Sequence, residues 1–540
     1  MELKNNYLLL LILVCIAIFF VNLDAIVVNI MEARNFATAR EMITLDNWIF
    51  TTLNNEPRYE KPPLPTWLTA ISMMLFGMKS LFALRLPAAI MGSLVVIFIY
   101  KLGVKITSEK KYSFIAGLIA STSFYILYSG RDGQWDIHTH AWMVLAIYFM
   151  YRLFTRSAGQ YVNAILAGIF IGCSFLSKGP VSMYALMLPF LIAFPIAFRF
   201  FEPRRLLKPI GLMLLMALIV AAPWSLYVYY FDTSAVSRIT DKETGRWLDY
   251  NVRPFYYYWS FVIQSGLWTI PAFVALLYPY LKDRVFDKPA YKFTLIWTLA
   301  SVILLSIIPE KKSRYLLPVL IPMALNTAFY IEYLFRSFAG LKWKEKWVVY
   351  FNFGLIALIG VVFPIAAFWY FQNDLSQIWP WLGMTSICLL VIGCLMLYFL
   401  YRERFKPVFY LSIGFIISII FFGLPMANKV EINPDYQSIA AVDSYIERKP
   451  MPVYEFRGFT PEIIWEFGQP IETLWNGQKY RVPGEQEFLV LATRDESEEL
   501  KEVFKDFEIS KLEEIDMNRT DNTHRERLFR FLYLIKKPTK

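Results

Sequence analysis

The sequence predicts an α-helical polytopic membrane protein that ends in a small α/β domain outside the bilayer. Three observations predict it. Hydrophobic residues make up 57% of the 540 and aromatics 18%, and the mean hydropathy is +0.42, more apolar than a water-soluble chain tolerates. Apolar stretches long enough to cross a bilayer, about 20 residues each, recur through the first 427 positions. The short connections between them are rich in Lys and Arg on every second turn, the charge asymmetry that marks a cytoplasmic face.

Thirteen spans are expected, near 6–23, 85–106, 112–130, 137–154, 161–177, 180–199, 207–231, 257–281, 292–309, 313–335, 347–371, 379–401 and 407–426. The first is not a signal peptide: no small-residue cleavage site follows it, and many equally apolar segments do. The connections "KLGVKITSEKK", "YRLFTRSAGQ", "RFFEPRRLLK", "KDRVFDKPAYK", "FRSFAGLKWKEK" and "YRERFK" form one face together with Lys4. The amino terminus is then expected inside and the tail outside. This parity requires that 64–78, "LPTWLTAISMMLFGM", lie along or partly in the membrane, which leaves 24–84 as one long outer loop. An amphipathic helix over 29–44 is expected on the outer surface. The domains are thus a membrane part, 1–427, and an external part, 428–540.

Charge supports this division. Residues 428–540 hold 17 bases and 22 acids, leaving 37 bases and 22 acids in the first 427. The basic surplus follows from membrane orientation and is no sign of nucleic-acid binding. In the tail, apolar runs such as "EFLVLAT" alternate with the helical "RDESEELKEVFKDF". Cys15, Cys173, Cys388 and Cys394 all fall in expected spans, so neither a disulfide framework nor a Cys zinc site is indicated.

Ionisable residues gather on the outer face. The first loop carries Glu32, Arg34, Arg58, Tyr59, Glu60 and Lys61; "SGRDGQWDIHTH" follows with Arg131 and Asp136, then "SKGP" with Lys178, "DKETGRW" with Glu243 and Arg246, and "PEKKSR" with Lys311, Lys312 and Arg314. Charges at that depth cost up to ~3 kcal/mol each and persist where they pair, line a cavity or act on a substrate. Plain structural roles also fit: Glu32 pairing with Arg34 or Arg40, Asp136 capping a helix, Arg314 snorkelling, Lys178 or Arg253 meeting lipid headgroups. His138 and His140 lie two apart and share no helix face.

"MEARNFATAREMITLDNW" followed by "RYEKPPLPTW" resembles the first outer loop of lipid-to-acceptor glycosyltransferases of the GT-C fold, near the lipid A aminoarabinose transferases and protein O-mannosyltransferases. The thirteen spans, "RDGQWD", "KKSRYLLPVLIP" and the external tail extend the likeness. It implies a polyprenyl-phosphate-sugar donor, an envelope acceptor (lipid A, another glycan or a protein hydroxyl) and a place in a bacterial-type inner membrane. Independently of the likeness, a donor phosphate calls for cations on the outer face: Lys61 as a compact charge with Arg246 or Arg58 as a planar fork, then Lys311, Lys312 and Arg314; Arg34, Tyr59, Glu60, Arg131, Lys178 and Glu243 are expected to line the site. Two departures stand out. Met31-Glu32 replaces the family's Asp-Glu, so the base is Glu32 or Asp136. "DKETGRW" lacks the His that zinc-binding relatives place there, and a lone carboxylate makes a poor zinc site. Glu60 is left as the candidate for a divalent ion shared with the lipid phosphate. A flippase for a lipid-linked glycan is the alternative, though an odd span count and the lack of repeated halves speak against it.

Overall fold

In the computed structural model, residues 6–198, 203–372, 374–430, 433–519 and 525–538 are described. The chain divides into two compact units, one built from Met1–Ala25 and Tyr59–Met426, the other from Ile26–Arg58 and Ala427–Lys540. The expected outer loop 24–84 is therefore split between them.

The first unit is helical. Among the described residues, eight helices are long and apolar enough to cross a membrane: Leu81–Thr107, Gln160–Lys178, Arg205–Phe231, Lys288–Ile307, Ser313–Gly340, Trp343–Tyr370, Leu375–Tyr401 and Phe405–Met426. These match eight of the thirteen expected spans; the other five are not single long apolar helices, and the physical reasons are local. The first apolar segment is helical only over Tyr7–Phe19. The 112–130 segment breaks at Ser123, which is extended (φ −69°, ψ 128°) between two helices. The 180–199 segment begins with a π-turn, Met183–Met187. The 257–281 segment is a 3₁₀ stretch kinked at Gly266, whose φ of 64° favours a residue without Cβ. Helix Asp136–Thr155 is continuous but carries polar and charged residues at both ends. As expected, 64–78 holds a short helix, Leu64–Phe76, opened by prolines and closed at Gly77 with φ 108°. At 13 residues it spans roughly 20 Å, too short to cross. Its Ile71, Met74, Leu75 and Phe76 are exposed, as suits a helix lying against lipid.

The second unit is α/β. Its five-stranded mixed sheet runs in the order Glu472–Thr473, Val453–Glu455, Glu487–Ala492, Phe529–Lys536, Glu508–Asp516. The first three strands are parallel and the last two antiparallel to their neighbours. Alternating side chains feed a core on each face, one around Leu489, Leu491 and Leu532, the other around Phe488, Val490 and Tyr533.

Helix Ile30–Thr44 belongs to this unit and corrects one expectation. It is not a surface helix: Glu32, Ala33 and the run from Asn35 to Met42 are buried. Arg40 donates to the carbonyls of Ile464 (2.8 Å) and Trp465 (3.0 Å), near the carboxyl end of helix Pro461–Phe467, where the helix dipole favours a cation. Glu41 accepts from Thr52 Oγ1 (2.7 Å) and from the amides of Asn54 (2.7 Å) and Asn55 (3.1 Å). Asn54 in turn exchanges two 2.7 Å bonds with the backbone of Ile471. What read as an amphipathic pattern is a helix whose polar groups are satisfied internally.

Candidate functional site

In the first unit, one cluster of charge is built from three helix ends. Asp136 opens helix Asp136–Thr155, where a carboxylate is favoured by the helix dipole. It does not cap: Trp135 occupies that position, with no side-chain cap bond. Its Oδ1 instead receives the ammonium of Lys178, the last residue of helix Gln160–Lys178. Gly179, at φ 70°, ends that helix in a backbone turn that residues with a Cβ seldom adopt.

Tyr315 is the hub. Its ring carries the Lys178 ammonium at 5.3 Å, that of Lys312 at 5.6 Å and the Arg314 guanidinium at 5.9 Å, within the range where a ring face attracts a cation. The Tyr315 hydroxyl donates to Glu310 Oε1 (3.3 Å), which also accepts from Lys312 (2.5 Å). Tyr258 braces the segment, its hydroxyl donating to the Lys312 carbonyl (3.1 Å) and accepting from the Lys312 amide (3.0 Å). Three cations thus meet two carboxylates, Asp136 and Glu310, leaving one positive charge in surplus. Arg314 Nε is buried without a hydrogen-bond partner. Buried donors of this kind are costly unless an acceptor arrives, and a phosphate is such an acceptor.

Neighbouring residues expected at the site are spent elsewhere. Lys311 is 3% exposed and donates to the carbonyls of Arg253 (3.1 Å), Pro309 (3.5 Å) and Ile308; burial pulls its ammonium below the usual lysine value. Arg131 donates to the carbonyls of Ile18 (2.6 Å), Val21 (2.8 Å) and Asn22 (2.7 Å), clamping the end of the first helix. Burial, with Arg85 nearby, pushes its guanidinium down to about 10.

The "RYEKPP" stretch is ordered by its own contacts. The Tyr59 hydroxyl donates to Asp232 Oδ2 (2.8 Å) and its ring meets Trp224 edge-on at 6.4 Å; burial, then Asp232, raises its phenol. Lys61 Nζ lies 3.9 Å from Glu243 Oε2, both half-buried. Glu60 Oε2 is buried without a hydrogen-bond partner. The side chain of Arg246 lies outside the described residues. His140 Nδ1 is bonded to Ser182 Oγ at 3.0 Å, and among the described residues no group of three or more His, Cys, Asp or Glu converges on one point.

The remaining candidates are in the second unit. Glu32 closes a capping box: its Oε2 accepts from the Asn29 amide (3.3 Å), while Asn29 Oδ1 accepts from the amides of Met31 (2.9 Å) and Glu32 (3.2 Å). This fixes a carboxylate at a helix start, where its charge is favoured. Arg58 donates to the Arg34 carbonyl (3.4 Å) and Thr38 Oγ1 (3.2 Å), and Arg34 reaches Met31 Sδ at 3.9 Å.

Sequence reasoning passed over Tyr315, Glu310, Asp232 and Tyr258. Tyr315 directly follows "KKSR", which was the available signal; the role of Asp232 depends on a long-range contact that no local pattern announces.

Comparison with known proteins bears on this arrangement. The family model described as dolichyl-phosphate-mannose-protein mannosyltransferase matches residues 60–227, a stretch that holds Glu60, Lys61, Asp136 and Lys178 but neither Glu32 nor Tyr315. The undecaprenyl phosphate-alpha-4-amino-4-deoxy-L-arabinose arabinosyl transferase of Serratia proteamaculans is 24% identical over 342 residues, 61% of this chain and 60% of its own. The protein of that name from Shewanella sediminis is 28% identical over 324 residues, 58% and 57%. The chain therefore spans about three fifths of the length of these relatives. Among solved structures, ArnT from Cupriavidus metallidurans bound to undecaprenyl phosphate superposes with a TM-score of 0.70 over 98% of both chains at 15% identity. Its apo state gives 0.69 at 16% identity, covering 98% of this chain and 97% of that one. The fold is shared from end to end, and the expected class, a helical polytopic membrane protein with a small α/β carboxyl-terminal domain, holds.

Proposed function

We propose that this chain is an integral-membrane glycosyltransferase that moves a sugar from a polyprenyl-phosphate donor to a hydroxyl of lipid A, another envelope glycan or a protein. The carrying observation is the surplus cation around Tyr315, with the partnerless Nε of Arg314 beside the Asp136–Lys178 pair. In such a transfer the acceptor oxygen bonds to the anomeric carbon, the bond from that carbon to the phosphate oxygen breaks, and the acceptor proton passes to a carboxylate. The leaving polyprenyl phosphate gains one negative charge. Lys178, Lys312 and Arg314 are suited to offset that charge as it develops, the mode of stabilisation on which much enzymatic rate enhancement rests. Lys61 and Arg246 are further phosphate contacts in this reading. Glu32 is the proton acceptor, and Asp136 holds the Lys178 ammonium in place. Glu60, with one carboxylate oxygen free of hydrogen bonds, is the protein's contribution to any divalent ion shared with the phosphate.

The place of action is the inner membrane, with the amino terminus cytoplasmic and the carboxyl-terminal unit periplasmic. Cysteines introduced in 232–256 should react with an impermeant thiol reagent added from outside and those in 101–111 should not; labelling of 101–111 reverses the orientation.

The test of function is release of polyprenyl phosphate by purified protein given a polyprenyl-phosphate sugar and lipid A, a glycan or a peptide. Glu32→Gln should cut turnover by about 10²-fold or more, the usual worth of general-base catalysis, with donor affinity little changed. Loss in Asp136→Asn alone moves the base to Asp136. No acceptor-dependent release by the parent protein overturns the reading.

A further inference from the structure

A second group of cations stands at the far end of helix Asp136–Thr155 from Asp136. The helix has 20 residues, so its ends are roughly 30 Å apart. Near the far end, Arg152 lies over the rings of Tyr148 (5.8 Å) and Phe149 (5.7 Å). Lys101, on the neighbouring helix Leu81–Thr107, lies 4.6 Å over Phe98. Phe98 and Tyr148 meet edge to face at 5.3 Å, so the two cations flank one pair of touching rings. Lys105 follows one turn further along its helix, and Arg156 is the extended residue that closes the other.

From that pair an aromatic track runs back along the unit. Tyr148 meets Phe149 at 5.2 Å, Phe149 stacks on Phe170 at 5.7 Å, and Phe170 stacks on Trp142 at 5.7 Å. All five rings are half-buried. No ion pair balances the cations: among the described residues none of Lys101, Lys105, Arg152 and Arg156 is in one, the stretch 148–160 contains no Asp or Glu, and the one acid of 101–111, Glu109, is exposed. Arg152 Nε is buried without a hydrogen-bond partner. An unbalanced cation in this setting is expensive unless an anion meets it, and a headgroup phosphate at the membrane surface is the anion at hand.

We propose that Lys101 and Arg152 hold the phosphate of an anionic membrane phospholipid whose acyl chain lies along Tyr148, Phe149, Phe170 and Trp142. The choice of a phospholipid over the donor lipid rests on the functional reading above, which puts the donor phosphate at the Tyr315 end of the same helix. This second site is then a lipid-dependent anchor in the opposite leaflet, separate from the chemistry.

Native mass spectrometry of delipidated protein in detergent, titrated with phosphatidylglycerol, phosphatidylcholine, polyprenyl phosphate and inorganic phosphate, tests it. The parent should prefer phosphatidylglycerol over phosphatidylcholine by about tenfold, and Lys101→Ala with Arg152→Ala should abolish that preference, as the loss of two surface cations implies. Phe149→Ala should weaken both phospholipids, leaving the preference intact. If the alanine pair proves polydisperse, Lys101→Gln with Arg152→Gln keeps the side-chain bulk and should give the same loss. Equal binding of the two phospholipids, a preference that survives either double variant, or displacement of phosphatidylglycerol by polyprenyl phosphate or inorganic phosphate would each overturn the proposal. Acceptor-dependent release of polyprenyl phosphate at saturating donor should persist in the double variants, so failure of this site and failure of the transferase reading are separately visible.

Discussion

The two units each bury an acid–base pair, and the pairs are built differently. In the second unit Arg530, 2% exposed, bonds Glu455 at 2.9 Å and gives its other donors to the carbonyls of Arg527 (3.1 Å), Phe529 (2.9 Å) and Gly458 (3.4 Å) and to Thr460 Oγ1 (3.2 Å). The guanidinium is saturated. In the first unit the Asp136–Lys178 pair sits among Lys312 and Arg314, whose charge exceeds that of the neighbouring carboxylates and one of whose donors has no partner. A pair that serves the fold uses up its donors. One that awaits a ligand keeps a donor in reserve: Arg314 Nε lacks an acceptor, whereas in the structural pair every guanidinium donor is used and the atom left unmet is an acceptor, Glu455 Oε1.

The sharpest way to break this contrast is Arg530→Ala. Removing one member of a buried pair typically costs about 3–5 kcal/mol, so thermal unfolding of the second unit should fall steeply. A small change in melting would mean that the pair is not structural. Arg314→Ala should do the opposite: melting unchanged, and donor affinity reduced by the loss of one charge-assisted bond, about 1.5–3 kcal/mol or 10- to 150-fold. Unchanged binding of polyprenyl phosphate in a folded Arg314→Ala protein would show that the reserve has another use.

A third measurement uses pH. Burial raises the Glu455 carboxyl to about 7, with Arg530 acting against it. The folded unit therefore keeps a proton that the unfolded chain loses near the ordinary glutamate value of about 4.3. Between those values the native state binds more protons, so stability falls as pH rises from about 4.5 to 7. Glu455→Gln should flatten that slope in a melting-versus-pH series; a slope that persists assigns it to other groups. The smallest effect is expected for Asp136→Asn. It frees Lys178 and removes a negative charge, so donor affinity should be kept or raised while turnover drops by roughly tenfold, within the range of imperfect positioning. A loss of donor affinity would mean that Asp136 acts on the lipid itself.

Much of this was legible in the chain. Composition and the spacing of apolar runs specify a membrane protein, the charge change near residue 427 marks the tail, and "RYEKPP", "RDGQWD" and "KKSRY" mark stretches where the structure places ion pairs and orphaned donors. These are local properties, written in hydropathy and in the identity of adjacent residues. Tertiary structure decided the rest. Of two adjacent lysines, Lys311 turns inward onto three carbonyls while Lys312 stays beside Tyr315. Arg131, in the same short motif as Asp136, turns both terminal nitrogens onto three carbonyls and clamps the first helix. Helix Ile30–Thr44 is a buried part of the second unit, not a surface element. In each case the deciding quantity is whether a charged group's hydrogen-bonding capacity is met by distant backbone, and that depends on which chain ends the fold brings within about 3 Å, a fact that no window of neighbouring residues contains.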